Sequence, residues 1–349
     1  MARVSQQMIA QHAGVSPTTV SLVLSANTRA QIAPATRERV LLVAEELGYM
    51  APLLDRCRRA ATGNLGYLLP PPRGHEPMPT DTHLADFRRG VLEVATAHEY
   101  HVLVATHDGQ TAIPELVAQQ KVDALIVDAI VEAAWINRLR ERLPVVLVSG
   151  YIDPRMRVDT VVSDNQRGGF HAVEYLVGLG HRRIGLFGMA PLTVPYFHDR
   201  LVGFTQGLTA FGLSQDAIYQ ALPPAVERSH EEIRTAARET LTCWRHLPAP
   251  PTAVFALNDT YALGLYAAAA ELGVRIPAEL SVVGYDNSLP AHYSLPALTS
   301  IDRCADELGR AAVGQILAQL ARPERPPVTM TVDVRMIARG STGPVRGES

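Results

Sequence analysis

Residues 13–25, AGVSPTTVSLVLS, decide how the chain begins. Gly14 stands where a chain leaving a helix turns through a left-handed conformation, which glycine adopts without steric cost. The residues before it, SQQMIAQHA (5–13), place Ile9, Ala10 and Ala13 on one face of a short helix. Val15 plugs the corner. Ser16 then offers a side-chain oxygen as N-cap, and Pro17 occupies a first-turn position that tolerates it. The helix that follows, PTTVSLVLS (17–25), buries Val20, Val23 and Leu24 and turns Thr18, Ser21 and Leu22 outward. A third helix fits residues 34–47, with Val40, Leu41, Val43, Ala44 and Leu47 at helical spacing and Gly48 as terminator. Two short helices around a glycine turn, with a third packing helix, form the layout that puts a second helix in a DNA major groove. Periodicity alone fits any small three-helix bundle as well.

Charge distribution supports the DNA reading. The chain has 349 residues and a net charge of −3, yet residues 1–60 hold seven arginines against four acids. That leaves an excess of three positive charges there and of six negative charges in the remainder. A basic head on an acidic body suits a DNA reader joined to something that should not bind DNA.

The string itself is more specific than its periodicity. AGVSPTTVSLVLS followed by ATRERVLLVAEELGY (35–49) closely resembles the lactose-repressor family of bacterial regulators. That family reads A-G-V-S-x-x-T-V-S and then a threonine-arginine helix ending near a tyrosine. By this resemblance Pro17, Thr18 and Leu22 face bases, while Ser16, Thr19 and Ser21 hold phosphates. A threonine can hydrogen-bond a base edge or touch a thymine methyl, whereas leucine offers apolar contact alone. Many relatives carry arginine where this chain has Leu22. Without that bidentate guanine contact, the operator preference is expected to differ.

Residues 49–64, YMAPLLDRCRRAATGN, form a linker. In the family this segment folds into a hinge helix whose Ala-Arg-x-Leu pattern wedges a leucine into the minor groove. Arg56 fits the arginine, but Asp55 and Arg58 stand where alanine and leucine are usual. Leu53 or Leu54 can supply the wedge if the register shifts. Arg56, Arg58 and Arg59 can instead lie along a narrow minor groove and bind phosphates, or form a basic tether.

From Leu65 onward, apolar runs alternate with helical stretches. The runs are 65–69, 101–106, 123–129, 145–149, 183–187, 252–258 and 280–285, with helices fitting, for example, 168–180 and 260–273. Continuous apolar strands separated by helices indicate parallel sheets covered on both faces. The series is too long for one sheet, and two lobes are the natural division. The expected fold class is therefore α/β: an all-α helix-turn-helix domain, then a two-lobed, doubly wound parallel-sheet domain. The resemblance continues through DNQRGGFHAVEYLVGLGHRRIGLFG (164–188), RLVGF (200–204), PTAVFALNDTYALG (251–264), LSVVGYDN (280–287), PALTSID (296–302) and ARGST (338–342). It implies the periplasmic sugar-binding fold, with two lobes joined by three crossovers. The expected domains are 1–48 for DNA binding, 49–64 as hinge and 65–340 for effector binding and dimerisation, with 341–349 as a tail. Within the large domain, one lobe takes about 65–161 and 290–321, the other about 162–289 and 322–340.

Ligands in such folds bind at the carboxyl ends of strands, here in a cleft between lobes. The resemblance places Arg200, Asn258 and Asp286 in that cleft as effector contacts. A carboxylate and an amide can each bridge sugar hydroxyls, and a guanidinium can bind an oxygen-rich or anionic ligand. Asp259 is read as the cap of the helix that follows it, and Asp164 and Asn165 as organisers of a crossover. His107 and Asp108 read as a turn, His181 as ordering a helix-to-strand loop, and Trp135 and Trp244 as packed against the lobes. Ala305 stands where some sugar-binding relatives carry an aromatic. The proline-rich segment PPPRGHEPMPTDTH (70–83) departs most from the family, and it follows the first strand, so it should border the cleft.

Composition limits the alternatives. The chain is 47% hydrophobic and 19% charged, an ordinary globular balance with apolar material for more than one core. No apolar run is long enough to span a bilayer, and MARVSQQMIAQH lacks a signal peptide's apolar stretch, so a cytoplasmic location without membrane contact is expected. Cys57, Cys243 and Cys304 are far apart with no CxxC, which suits reduced thiols rather than a zinc site. There is no nucleophile elbow, no phosphate-binding glycine loop and no metal-ligand cluster, so neither catalytic residues nor a cofactor are expected. The expected partners are a near-palindromic double-stranded operator, a sugar-like small-molecule effector and a second copy of the chain. The ending GSTGPVRGES carries no heptad repeat, which points to a homodimer rather than a larger assembly. The alternatives are a solute sensor of the same fold without DNA function and a cytosolic α/β enzyme.

Overall fold

The computed structural model describes residues 5–24, 32–47, 62–69, 81–107, 113–128, 131–148, 155–188, 190, 195–213, 219–224 and 229–345. The linker residues Leu53, Leu54, Asp55, Arg56, Arg58 and Arg59 lie outside them, as do Gly48, Asp108 and residues 70–80 of the proline-rich segment.

Three helices open the chain: α1 (Gln6–Ala13), α2 (Pro17–Leu24) and α3 (Pro34–Glu46). Ser5 caps α1 by accepting from the Met8 amide at 3.3 Å, and Gly14 ends it at φ 64°, its N–H donating to the Ala10 carbonyl. Ser16 caps α2 by accepting from the Thr19 amide at 3.0 Å. Ile9, Ala10, Ala13, Val20, Val23, Val40 and Ala44 form one small core, with Val15 packed at its edge. Gly14, Ser16, Ile9, Ala10, Ala13, Val20, Val23, Val40 and Ala44 take the places that the sequence pattern selects, whereas Ser5, read as part of the first helix, is its cap.

The first lobe runs β1 (Asn64–Leu69), α4 (Asp81–Ala97), β2 (His101–Thr106), α5 (Glu115–Ala118), β3 (Ala124–Asp128), α6 (Ala133–Arg140), β4 (Val145–Val148) and β5 (Asp159–Ser163). The second runs α7 (Asn165–Gly178), β6 (Ile184–Phe187), α8 (Pro195–Ala210), β7 (Gln220–Ala221), α9 (His230–Arg245), β8 (Ala253–Ala256), α10 (Asp259–Leu272), β9 (Ser281–Tyr285), α11 (Leu289–Tyr293) and β10 (Thr299–Asp302). The chain then returns to the first lobe for α12 (Ala305–Ala321) and β11 (Thr329–Val332), and closes on the second with β12 (Arg335–Ile337). The sheet orders are β11-β5-β4-β3-β1-β2 and β12-β10-β9-β8-β6-β7, parallel except for β12 against β10.

Each first-lobe strand feeds two cores because its side chains alternate between faces. Tyr67, Ile126 and Val146 pack under α4 and α12, beside Phe87 and Leu308. Leu68, Leu125 and Leu147 pack under α6, beside Trp135 and Ile136. The second lobe has a single large core spanning its sheet and covering helices. There α7 and α8 lie close enough that a Cβ on Gly203 would come 1.8 Å from the Gln166 carbonyl oxygen, so only glycine allows this approach. That approach sets where α8 presents Arg200.

Two expected boundaries move. The lobe change placed near residue 290 falls after Asp302, because β10 pairs with β9 in the second sheet. The return placed near 322 falls after Val332, because β11 pairs with β5 in the first. The three connections between lobes meet each other: Ser163 Oγ donates to the Arg303 carbonyl at 3.2 Å, and the Asp164 amide to the Val332 carbonyl at 2.9 Å.

Residues 341–345, expected to begin a tail, belong to the second lobe. Ser341 is fully buried; its Oγ donates to the Val282 carbonyl at 2.6 Å and accepts from the Thr299 amide at 2.8 Å. His181, in the loop between α7 and β6, completes this junction. Its Nε2 lies 3.1 Å from the Gly343 carbonyl, which can only accept, so Nε2 carries the proton. Nδ1 then accepts from the Thr252 hydroxyl at 2.8 Å. Burial lowers the His181 pKa, with the Gly343 hydrogen bond opposing.

A lowered folded-state pKa means that the unfolded chain takes up the proton first. Stability therefore falls as pH drops below the ordinary imidazole value near 6.5 and levels off below the depressed folded value. Acidification from about pH 7.5 to 5.5 is expected to lower the melting temperature of the wild-type protein more than that of His181→Gln. Parallel pH profiles from calorimetry would remove His181 from the account.

Candidate nucleic-acid interface and ligand cleft

Because α2 buries Val20 and Val23, its opposite face carries the residues expected to meet DNA. Ser16, Pro17, Thr18 and Ser21 are exposed, while Thr19 and Leu22 are half-buried. Ser16 and Thr19 are linked hydroxyl to hydroxyl at 2.8 Å beside the capping bond, so both sit at the helix entrance, where amides and hydroxyls suit a phosphate. Thr18 and Leu22 stand one turn apart on the outward side. This single short rod carries all six helical residues expected to meet DNA.

The second candidate site is built from strand ends. Arg200 projects from α8 and is 2% exposed. Its Nε donates to Asn165 Oδ1 at 3.0 Å, its Nη1 to the Leu257 carbonyl at 2.6 Å and its Nη2 to Asp286 Oδ1 at 3.2 Å. The guanidinium lies 3.5 Å from the Tyr285 ring centroid, with Tyr196 and Phe197 further out. Tyr285 is itself close to Gly168, where a Cβ would come 2.5 Å from the ring. One buried cation thus ties α7, α8, β8 and the end of β9 together through three of its five N–H donors.

Asp286 follows β9 with φ 106°, and Asn287 follows with φ 51°, both in the left-handed region that favours glycine. Such strain costs on the order of 1–3 kcal/mol per residue and persists where surrounding structure over-determines it. The Asp286 side chain keeps about a tenth of its surface exposed, with Oδ1 held by Arg200. Oδ2 makes no hydrogen bond among the described residues.

Asn258 takes the capping role that the sequence suggests for Asp259: it is the N-cap of α10, and its Oδ1 accepts from the Tyr261 amide at 2.8 Å. Asp259, read as the cap, is instead buried one residue inside the helix and faces the 286–288 turn. Burial, and then the charge of Asp286, push its pKa up to about 7, against hydrogen bonds from Ser300 and Ser288.

The first lobe contributes Asp128 at the end of β3, whose Oδ2 accepts from the Tyr67 hydroxyl at 3.0 Å. The Tyr67 pKa rises through burial first and then through Asp128. The Tyr196 pKa is raised by burial, against the charge of Arg200, with Asp286, Arg303 and Asp128 contributing less. Asp128, Tyr67, Tyr196 and Arg303 were not singled out in the sequence, although Asp128 closes an apolar run as a strand-end acid should.

The remaining candidates take structural places. Asp164 caps α7 by accepting from the Arg167 amide at 2.9 Å, and Asn165 bridges the Ser163 carbonyl and Arg200, so both organise the crossover. His107 stacks on Trp135 at 4.7 Å between centroids, Trp244 packs over Gly185, and Ala305 begins α12 within the first-lobe core. Among the described residues there is no group of three or more His, Cys, Asp or Glu able to hold a metal ion, and no helix long and apolar enough to cross a membrane.

Comparison with known proteins adds to this geometry. Residues 7–51 match the family model described as bacterial regulatory proteins, lacI family, and residues 173–342 match the periplasmic binding protein-like domain. The chain is 30% identical to the HTH-type transcriptional repressor CytR of Escherichia coli over 346 residues, covering 96% of this chain and 95% of the relative. It is 29% identical to the repressor PurR of Proteus mirabilis, over 95% of each. Among solved structures, a LacI family transcriptional regulator from Enterococcus faecium with bound ribose aligns with TM-score 0.66 at 26% identity, over 81% of this chain and all of the other. The regulator CelR in complex with cellobiose aligns over 97% of this chain and 100% of its own, with TM-score 0.68 at 24% identity, which speaks to the fold.

Removing Arg200 would leave Asp286 partly buried without its counter-charge. Arg200→Ala is expected to destabilise the protein by about 3–5 kcal/mol, measured by urea unfolding at neutral pH. An unchanged midpoint would show that the pair does not hold the second lobe together.

Proposed function

The chain belongs to the lacI family of bacterial regulatory proteins, and from that membership we propose that it is a cytoplasmic, effector-controlled transcriptional repressor acting as a homodimer. The observation that carries the effector half is the Asp286 carboxylate. It is held in a strained backbone at a strand end, with Oδ1 fixed by Arg200 and Oδ2 making no hydrogen bond among the described residues. Asn258 Nδ2 adds a donor beside it, and Asp128 adds an acceptor from the facing lobe. With three Arg200 donors engaged inside the lobe and its charge met by Asp286, the site favours a neutral molecule rich in hydroxyl donors, such as a sugar or sugar derivative, over a phosphorylated one. Arg200 then serves the effector through Asp286.

Thr18 and Leu22 of α2 read base edges, and Ser16, Thr19 and Ser21 hold phosphates, with Pro17 at the outward corner. Arg56, Arg58 and Arg59 strengthen binding without regard to sequence. Two copies place their reading helices in successive major grooves of a near-palindrome. The second copy has a natural seat. Leu289, Tyr293 and Leu295 are 56%, 77% and 92% exposed around α11. Leu92 on α4 and Val104 on β2 are also exposed. Effector binding shifts the lobes about the three touching crossovers, and coupling of this kind amounts to about 1–3 kcal/mol.

Two measurements test the proposal. Genomic fragments selected by the full-length protein should share a near-palindrome whose half-site changes with Thr18→Ala or Leu22→Arg, and a protein lacking residues 1–60 should select nothing. A preference unaltered by both substitutions would refute the base-facing assignment. Leu295→Lys should convert the dimer to a monomer by light scattering, and a dimer persisting at micromolar concentration would place the interface elsewhere.

A further inference from the structure

The turn that presents Asp286 has no glycine, yet it occupies glycine's part of backbone space at two successive residues. Something outside the turn must hold it there. All three of its amides are spoken for. The Asp286 amide donates to the Ile301 carbonyl at 2.8 Å, the continuation of the sheet. The Asn287 amide donates to Ser300 Oγ at 3.0 Å, and the Ser288 amide to Asp259 Oδ2 at 2.7 Å. The Ser300 hydroxyl in turn donates to Asp259 Oδ1 at 2.7 Å. Two of the three amides therefore end, directly or through one hydroxyl, on a single carboxyl group from the start of α10.

That carboxyl is 2% exposed, so it meets no ligand from the cleft. Its room is made by Gly284, where a Cβ would come 2.2 Å from Asp259 Oδ1. As the first residue of α10, Asp259 also lies at the positive end of a helix, which favours a carboxylate. Helix, sheet and turn thus meet at one group that contacts neither DNA nor the cleft.

We infer that Asp259 is a positioning residue for effector recognition: it fixes the 286–288 turn in its strained form, and thereby the direction of the Asp286 carboxylate. The inference rests on the reading of Asp286 as an effector contact. Loss of the Asp259 carboxyl strands the Ser288 amide and frees the Ser300 hydroxyl, so the turn relaxes to ordinary backbone and Asp286 swings from Arg200 and the cleft. An asparagine in its place keeps one acceptor for the Ser288 amide and donates to Ser300, which preserves most of the hold.

The test uses full-length wild type, Asp259→Ala, Asp259→Asn and Asp286→Ala. Amide hydrogen exchange over residues 285–290 is compared with that over β6 in the same lobe, and D-ribose is titrated calorimetrically as the probe. In Asp259→Ala, exchange should rise at 286–288 while β6 keeps its protection, and ribose affinity should fall about tenfold or more. Asp259→Asn should restore most of both. Wild-type exchange at 286–288 in Asp259→Ala would overturn the inference, and so would equal loosening of β6. If the turn loosens as expected but wild type takes up no ribose, the positioning claim stands on the exchange data, and the sugar-binding reading of the cleft is what fails.

Discussion

A guanidinium removed from water needs partners, and Arg200 finds them on three other elements. Its donors reach an amide oxygen on α7, a carbonyl beyond β8 and a carboxylate beyond β9, while its flat face rests on the Tyr285 ring. Desolvation makes each of these contacts obligatory, because an unpaired donor at this depth is costly. The close approach of α7 and α8 through Gly203 follows from the same demand: without it the arginine would not reach both Asn165 and Asp286. The strained turn after β9 is likewise tolerable only because its carboxylate has this cation to meet. Most of the second lobe's ligand-facing wall can be traced to one side chain seeking partners.

The connections between lobes show why such a wall can be mechanically useful. Three strands of chain pass between the sheets, and they touch through a serine hydroxyl and three backbone groups. A joint of that kind bends with little loss of buried surface, whereas each lobe is packed throughout. A molecule bound between two such bodies is sensed by both at once, and this is the requirement for turning occupancy into relative motion.

The N-terminal domain was readable almost residue by residue, because capping, a left-handed glycine and a buried stripe are local demands. Gly14, Ser16, Ile9 and Val20 each do what short-range chemistry requires. The lobes were readable as a class but not in their threading. β5, β10 and β11 are four or five residues long and carry buried Thr160, Ser163, Thr299 and Ser300, so they lack the continuous apolar signal of β3 or β4. Missing β10 as a strand moved the lobe change a dozen residues too early. The Asn258–Asp259 pair illustrates a finer limit. Shifting a helix start by one residue exchanges a solvent-side cap for a buried acid, and either neighbour satisfies the local rule. Only the turn arriving from residues 286–288, far away in sequence, decides between them.

The closing segment from Ser341 to Val345 has a consequence for how the molecule is made. A ribosome delivers the reading head first, and that three-helix unit has a complete core of its own as soon as it emerges. The first lobe, by contrast, waits for α12 and β11, and the second waits for the hydroxyl of Ser341 and the carbonyl of Gly343 to reach His181 and Val282. Neither lobe can finish until the segments reaching to Val345 have emerged. During synthesis the cell therefore holds a nascent chain whose DNA-recognising end is mature while both lobes are still open.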